Sequence, residues 1–142
     1  MATEEKIVIR QVNRPGKENP DALLQWFMQV FDFNSKGEVE PDIFKEIVER
    51  SIKGSGVTSK LLNEKLDVPR STVIYHLNRF ICSGLVVRRG RRYYLRSEDM
   101  AGTIAELQAD MDREFIRLLE FAQKMDALFE GNAYGRRKGR RQ

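Results

Sequence analysis

Apolar residues recur at helical spacing over five stretches of this chain and gather into two short β-rich runs near its middle. Leu23, Leu24, Phe27, Val30 and Phe31 share one face of a predicted first helix. Its start is marked by Asn19-Pro20-Asp21: an N-cap, a proline at the first helical position and an acid in the first turn. Asn34-Ser35-Lys36-Gly37 ends it, and Glu40-Pro41-Asp42 opens a second helix with Ile43, Phe44, Ile47 and Val48 as its stripe. Upstream, Glu4 to Val12 reads as a short extended arm or edge strand, broken by the turn Asn13-Arg14-Pro15-Gly16.

Beyond Gly54-Ser55-Gly56, Thr58 is placed to cap a short helix carrying Leu61, Leu62 and Leu66. Asp67-Val68-Pro69 makes a tight turn. A further helix opens at Pro69-Arg70 or at Ser71, runs through Cys82 and buries Val73, Ile74, Leu77, Phe80 and Ile81, with Gly84 as its stop. LVVR and RYYL, joined by Arg89-Gly90-Arg91, predict a hairpin with a basic tip. Ser97, followed by Glu98 and Asp99, is the expected cap of a last, long helix reaching to about Phe129. Along it Met100, Ile104, Leu107, Met111, Leu118, Phe121, Met125 and Leu128 keep the 4-3 spacing of a heptad seam, interrupted at Glu114. Phe115, Ile116, Leu119, Ala122 and Phe129 add a second apolar face.

These elements predict a mainly α fold with a small β-hairpin, α+β in class. An N-terminal arm (1–19) is followed by a helical pair (20–56), a helix-turn-helix core with its hairpin (57–96), a long helix (97–130) and a basic tail (131–142). The tail is expected to be disordered on its own. The length of 142 residues suits one compact domain with an appended helix. No apolar run approaches the ~20 residues of a membrane span, and MATEEKIVIR lacks the basic-then-apolar pattern of an export signal. A cytoplasmic location without membrane attachment is therefore expected. With one cysteine, Cys82, and one histidine, His76, the chain offers no disulfide framework, no cysteine-rich metal site and no histidine-based triad. No enzyme, catalytic residue, cofactor or metal is expected.

Charge sharpens the picture. The net charge is +4, yet residues 88–96 carry five arginines and residues 136–141 four arginines and a lysine, with no acid in either stretch. The rest of the chain is mildly acidic. Two concentrated basic patches on an acidic body suit a binder of polyanions, because neutralising phosphates releases condensed counterions.

Helix, tight turn, helix and basic hairpin is the order of a winged helix-turn-helix. Over residues 57–96, STVIYHLNRFICSGLVVRRGRRYYL resembles the recognition helix and wing of ArsR-like winged-helix transcriptional regulators, through its Ser-Thr-Val, His-Leu and Gly-Leu-Val pattern. The resemblance implies that Arg70, Ser71, Thr72 and Tyr75 lie on the groove-facing side of the recognition helix. It sets His76 and Asn78-Arg79 at or beside that surface, with Arg79 reaching phosphate, and it matches Arg88, Arg89, Arg91 and Arg92 to the wing. Two readings of His76 stay open, a contact residue or a partly buried side chain fixing the helix. For Tyr93 and Tyr94, packing under the wing is favoured over base stacking. The helix before the recognition helix, TSKLLNEKL, has no cysteine and the last helix no histidine, so the chain departs from the metal-sensing members. Cys82 reads as a small core residue.

FDFNSKGEVEPDIF resembles an EF-hand loop at Asp32, Asn34, Gly37 and Val39, but Lys36 occupies a ligand position and Ile43 stands where the bidentate Glu belongs. A plain helix-loop-helix is expected there instead. The long helix predicts a homodimer joined through Ile104, Leu107, Met111, Leu118, Phe121 and Met125. The expected partner is nucleic acid, duplex DNA first, with Arg136, Arg137, Lys138, Arg140 and Arg141 of the tail as an added electrostatic arm. The alternative is an RNA- or ribosome-binding dimer of the same fold that bridges or blocks ribosomal subunits. The acidic first helices leave room for a protein partner as well.

Overall fold

The computed structural model describes residues 5–33 and 39–133. Its elements run α1 (Pro20–Val30), α2 (Val39–Ile52), β1 (Val57–Thr58), α3 (Ser59–Leu66), α4 (Arg70–Cys82), β2 (Val86–Arg89), β3 (Arg92–Leu95) and α5 (Met100–Ala133). The fold is mainly helical with a small three-stranded antiparallel sheet. No helix among the described residues is long and apolar enough to cross a membrane.

Local chemistry sets most boundaries. The Asn19 side chain accepts the Ala22 N–H at 2.8 Å, and Pro20 occupies the first turn where a missing N–H costs nothing. Thr58 accepts the Leu61 N–H at 3.1 Å, and Asp67 closes α3 in the left-handed region at φ +54°. The cap of α5 is Asp99 rather than the expected Ser97: its carboxylate accepts the Gly102 N–H at 2.7 Å and its carbonyl accepts Thr103 N–H. The Ser97 N–H instead donates to the Thr103 hydroxyl, whose side chain is fully buried.

The sheet order is β1-β3-β2. Arg89 pairs with Arg92, so Gly90 and Arg91 form a two-residue turn, with Gly90 at φ +64° in the first central position, the arrangement that suits the strands' twist. β1 is a two-residue strand that pairs Val57 with Tyr93 and Thr58 with Arg92, and no sequence pattern foretells it. Ser51 of α2 accepts the Leu95 N–H at 2.8 Å and locks the sheet to that helix. The described part of the arm does not join the sheet. It is held by Lys6 N–H to the Cys82 carbonyl at 2.8 Å and by Arg10 N–H to the Val30 carbonyl at 2.7 Å.

The chain divides into two units, residues 1–106 and 107–142. In the first, the core gathers Met28, Ile43, Phe44, Ile47, Leu62, Val73, Leu77, Phe80, Leu85 and Leu95. The expected boundaries at residues 56 and 96 fall inside this unit, because α2 packs against α3, α4 and the sheet. Of the face predicted for α1, Leu23, Leu24 and Phe27 are half-buried. With Pro20, Phe44, Val48 and Met100 they line a half-open apolar groove of about 220 Å³. Met28 and Val30, at the end of α1, and Phe31 and Phe33, just after it, are buried. In the second unit, α5 continues as helix to Ala133, and residues 112–131 are exposed. The tail arginines and lysine at 136–141 lie outside the described residues, as do positions 34–38 of the EF-hand-like loop.

Candidate nucleic-acid interface

α4 buries Val73, His76, Leu77 and Phe80 and turns its other side outward. Arg70 and Ser71 are exposed at its start, Thr72 is half-buried, and Tyr75 is 59% exposed one turn further on. No acidic residue occurs anywhere in this helix. The outward face is therefore cationic at its N-terminal end, where the helix dipole also favours an anion.

The inward face is fixed by a residue that the sequence did not single out. Glu40, in the first turn of α2, is completely buried. His76 donates from Nδ1 to its Oε2 at 2.6 Å, and Arg79 Nη1 donates to Oε1 at 3.0 Å and to Oε2 at 2.7 Å. Buried charge is tolerable where its lone pairs are met in this way. The Arg79 guanidinium also lies 5.1 Å from the Phe33 ring centroid and 5.9 Å from that of Tyr75, while Phe33 meets Phe80 edge-on at 4.8 Å.

This geometry bears on two expectations. Of the two readings of His76, the structure gives the buried one, at 9% exposure. The Arg79 head group, expected to reach phosphate, is engaged within the chain by a buried carboxylate and two rings. The pattern of acid, histidine and arginine spans 36 to 39 residues, and no local signal joins them. A carboxylate at a helix start reads as a dipole partner until the tertiary contact is seen.

The hairpin gathers the other cations. Arg88, Arg89, Arg91 and Arg92 are all exposed. Arg88 donates from Nε to the Gly90 carbonyl at 2.8 Å and lies 5.5 Å from the buried Tyr93 ring; Arg89 lies 5.2 Å from the ring of Tyr94. Arg92 donates to the Ser55 carbonyl at 3.1 Å. The tyrosines thus pack within the hairpin and carry arginines on their faces, a modest attraction that orders long side chains without consuming their charge. Arg96 turns away to Glu106 at 3.1 Å. α4 packs directly on β2, so the two cationic elements belong to one rigid framework.

That framework has a second buried anchor. Glu46 of α2 accepts from Lys65 of α3 at 2.7 Å and from Arg50 at 3.2 Å. Burial by itself would raise its pKa, but the bonds and positive charges of Lys65 and Arg50 outweigh burial and hold the carboxyl below its ordinary 4.5.

The residues expected at a dimer seam are divided by the structure. Leu107 is buried at 2% exposure within a single chain, Ile104 and Met111 are half-buried, and Leu118, Phe121 and Met125 are exposed. Among the described residues, no group of three or more histidine, cysteine or acidic side chains is arranged to hold a metal ion. Cys82 is a half-buried free thiol. No protein-family model, curated protein or solved structure matches the chain, so the functional reading stands on these residues themselves.

Proposed function

We propose that this chain is a winged helix-turn-helix protein that binds duplex DNA as a homodimer and regulates transcription. The observation that supports it best is the acid-free cationic surface on two adjoining elements, the exposed side of α4 and the Arg88–Arg92 hairpin. A helix is rigid and narrow enough to enter a major groove, where Arg70, Ser71, Thr72 and Tyr75 would meet base edges. The hairpin arginines would grip the flanking backbone and set the register. Glu40, His76 and Arg79 serve as the anchor that fixes the angle of α4 and do not touch nucleic acid. The resemblance of residues 57–96 to ArsR-like regulators points the same way, and the exposed apolar residues of α5 supply a surface for self-association.

The arginine density of hairpin and tail favours structured RNA, including ribosomal RNA, as the second reading. Selection from a random duplex library by the full chain tests the first. The expected product is a two-fold symmetric consensus that Thr72→Ala or Tyr75→Ala blurs at defined positions. Enrichment of no sequence, with tighter binding to folded RNA, contradicts it.

A further inference from the structure

Beyond Leu107, α5 exposes Phe115, Ile116, Leu118, Leu119, Phe121, Met125, Leu128 and Phe129, each between 55 and 69%. Large exposed apolar side chains in this number on one helix mark an interaction surface. In heptad terms, Met111, Leu118 and Met125 are a positions, and Glu114, Phe121 and Leu128 are d positions. The e row that flanks the d positions is Phe115, Ala122 and Phe129; the g row that flanks the a positions is Asp110, Arg117 and Lys124. One flank of the seam is apolar and the other charged.

We infer that residues 111–128 of α5 pair with the same residues of a second copy running antiparallel. In a parallel pair each e row faces the partner's g row, which would set Phe115 against Asp110 and Phe129 against Lys124, and the e–g charge pairing of parallel coils would be missing. A parallel pair also brings the two Glu114 carboxylates together in one d layer. Reversing one helix changes both relationships. The e rows then meet each other on one flank, apolar against apolar, and the g rows meet on the other. That charged flank is locally neutral, because Arg117 is already paired with Glu114 and Lys124 with Glu120 within the helix. Each d residue now faces an a residue, so Glu114 lies beside a methionine rather than its own copy.

The register follows from burial. Leu107 is occupied within its own chain, so the seam open to a partner begins at the half-buried Met111 and ends at Leu128. Pairing its whole length centres the two-fold axis between Leu118 and Phe121 and places Met111 opposite Leu128 over about 26 Å. This inference rests on the self-association in the proposed function and not on its nucleic-acid partner.

Disulfide trapping of the full chain in a Cys82→Ser background tests it. A Met111→Cys chain co-expressed with a differently tagged Leu128→Cys chain is expected to give mixed covalent dimers on mild oxidation, whereas Leu128→Cys alone gives none. Covalent dimers from Leu128→Cys alone identify a parallel pair and overturn the inference, leaving self-association intact. A monomeric parent chain by sedimentation overturns both. Should the seam cysteines prevent pairing, spin labels at Glu130→Cys give a second measure. Antiparallel helices separate those labels along the axis by about 32 Å, and parallel helices set them level.

Discussion

The Glu40 carboxylate, buried at the start of α2, receives the Nδ1–H of His76 from the middle of α4 at 2.6 Å. This contact, shared with Arg79, ties α4 to the element that also carries the sheet through Ser51. The angle of α4 and the stability of the domain are thereby linked.

Glu40→Ala leaves His76 and Arg79 without their acceptor. Breaking a buried pair by removing one partner costs about 3 kcal/mol at the low end, and Arg79 is open enough to water for that end to apply. Chemical denaturation should show a loss of that order together with weakened nucleic-acid binding. An unchanged midpoint would mean that α4 is held by its apolar face alone.

Glu46 makes acid stability measurable. Its folded pKa lies below its ordinary value, so the unfolded state takes up the proton first as pH falls. Its contribution is whole above about pH 5, begins to fade as pH drops through 4.5 and is lost once the folded carboxyl titrates. The stability difference between parent and Glu46→Gln should be flat from pH 6 to 8 and shrink below pH 5. A difference that grew on acidification would have the wrong sign for this account.

Gly56 sits at φ +67° beneath the hairpin. A Cβ there would fall 2.9 Å from the Tyr93 carbonyl oxygen and 2.7 Å from the Tyr94 ring. Backbone strain alone costs on the order of 1 kcal/mol or more, and the β1–β3 pairing must shift as well. Gly56→Ala should lower the melting temperature clearly, while Gly54→Ala, where nothing stands within 4 Å, meets strain without the clash and should cost less.

Tyr75→Ala and the pair Arg88→Ala with Arg91→Ala should separate reading from gripping. Tyr75 is exposed and gives Arg79 only a distant ring contact at 5.9 Å, so its loss should cost little stability and about 1–3 kcal/mol of binding on preferred sequences alone. The double arginine variant should weaken binding to every sequence and reduce the slope of log affinity against log salt by about 2. Anisotropy titrations across a salt series measure both, and equal slopes in variant and parent would remove the hairpin from the interface.

What the sequence made legible was local. Thr58, Pro69 and the Val73-Leu77-Phe80 stripe placed α3, the turn and α4 to within a residue, because caps and helical spacing act over three or four positions. β1 was invisible: two residues carry no alternation, and the strand exists through its pairing with Tyr93 and Arg92. Of the predicted stripe Leu23, Leu24, Phe27, Val30 and Phe31, the last two are buried and the first three half-buried, while Met28, outside it, is fully buried, because spacing alone cannot say how far round a helix the core reaches. The Glu40 anchor was missed for the same reason as β1, since its partners lie far along the chain. At Ser97 the hydroxyl was a plausible cap, and Asp99, two residues nearer, won by reaching the Gly102 N–H.

Crosslinking the protein to nucleic acid in its native cells, purifying it and sequencing what is attached tests the central claim most directly. The account predicts a small set of discrete genomic DNA sites sharing a two-fold symmetric motif, lost when Arg70 and Tyr75 are both replaced by alanine. Recovery of ribosomal RNA, or of no nucleic acid above background, would contradict it.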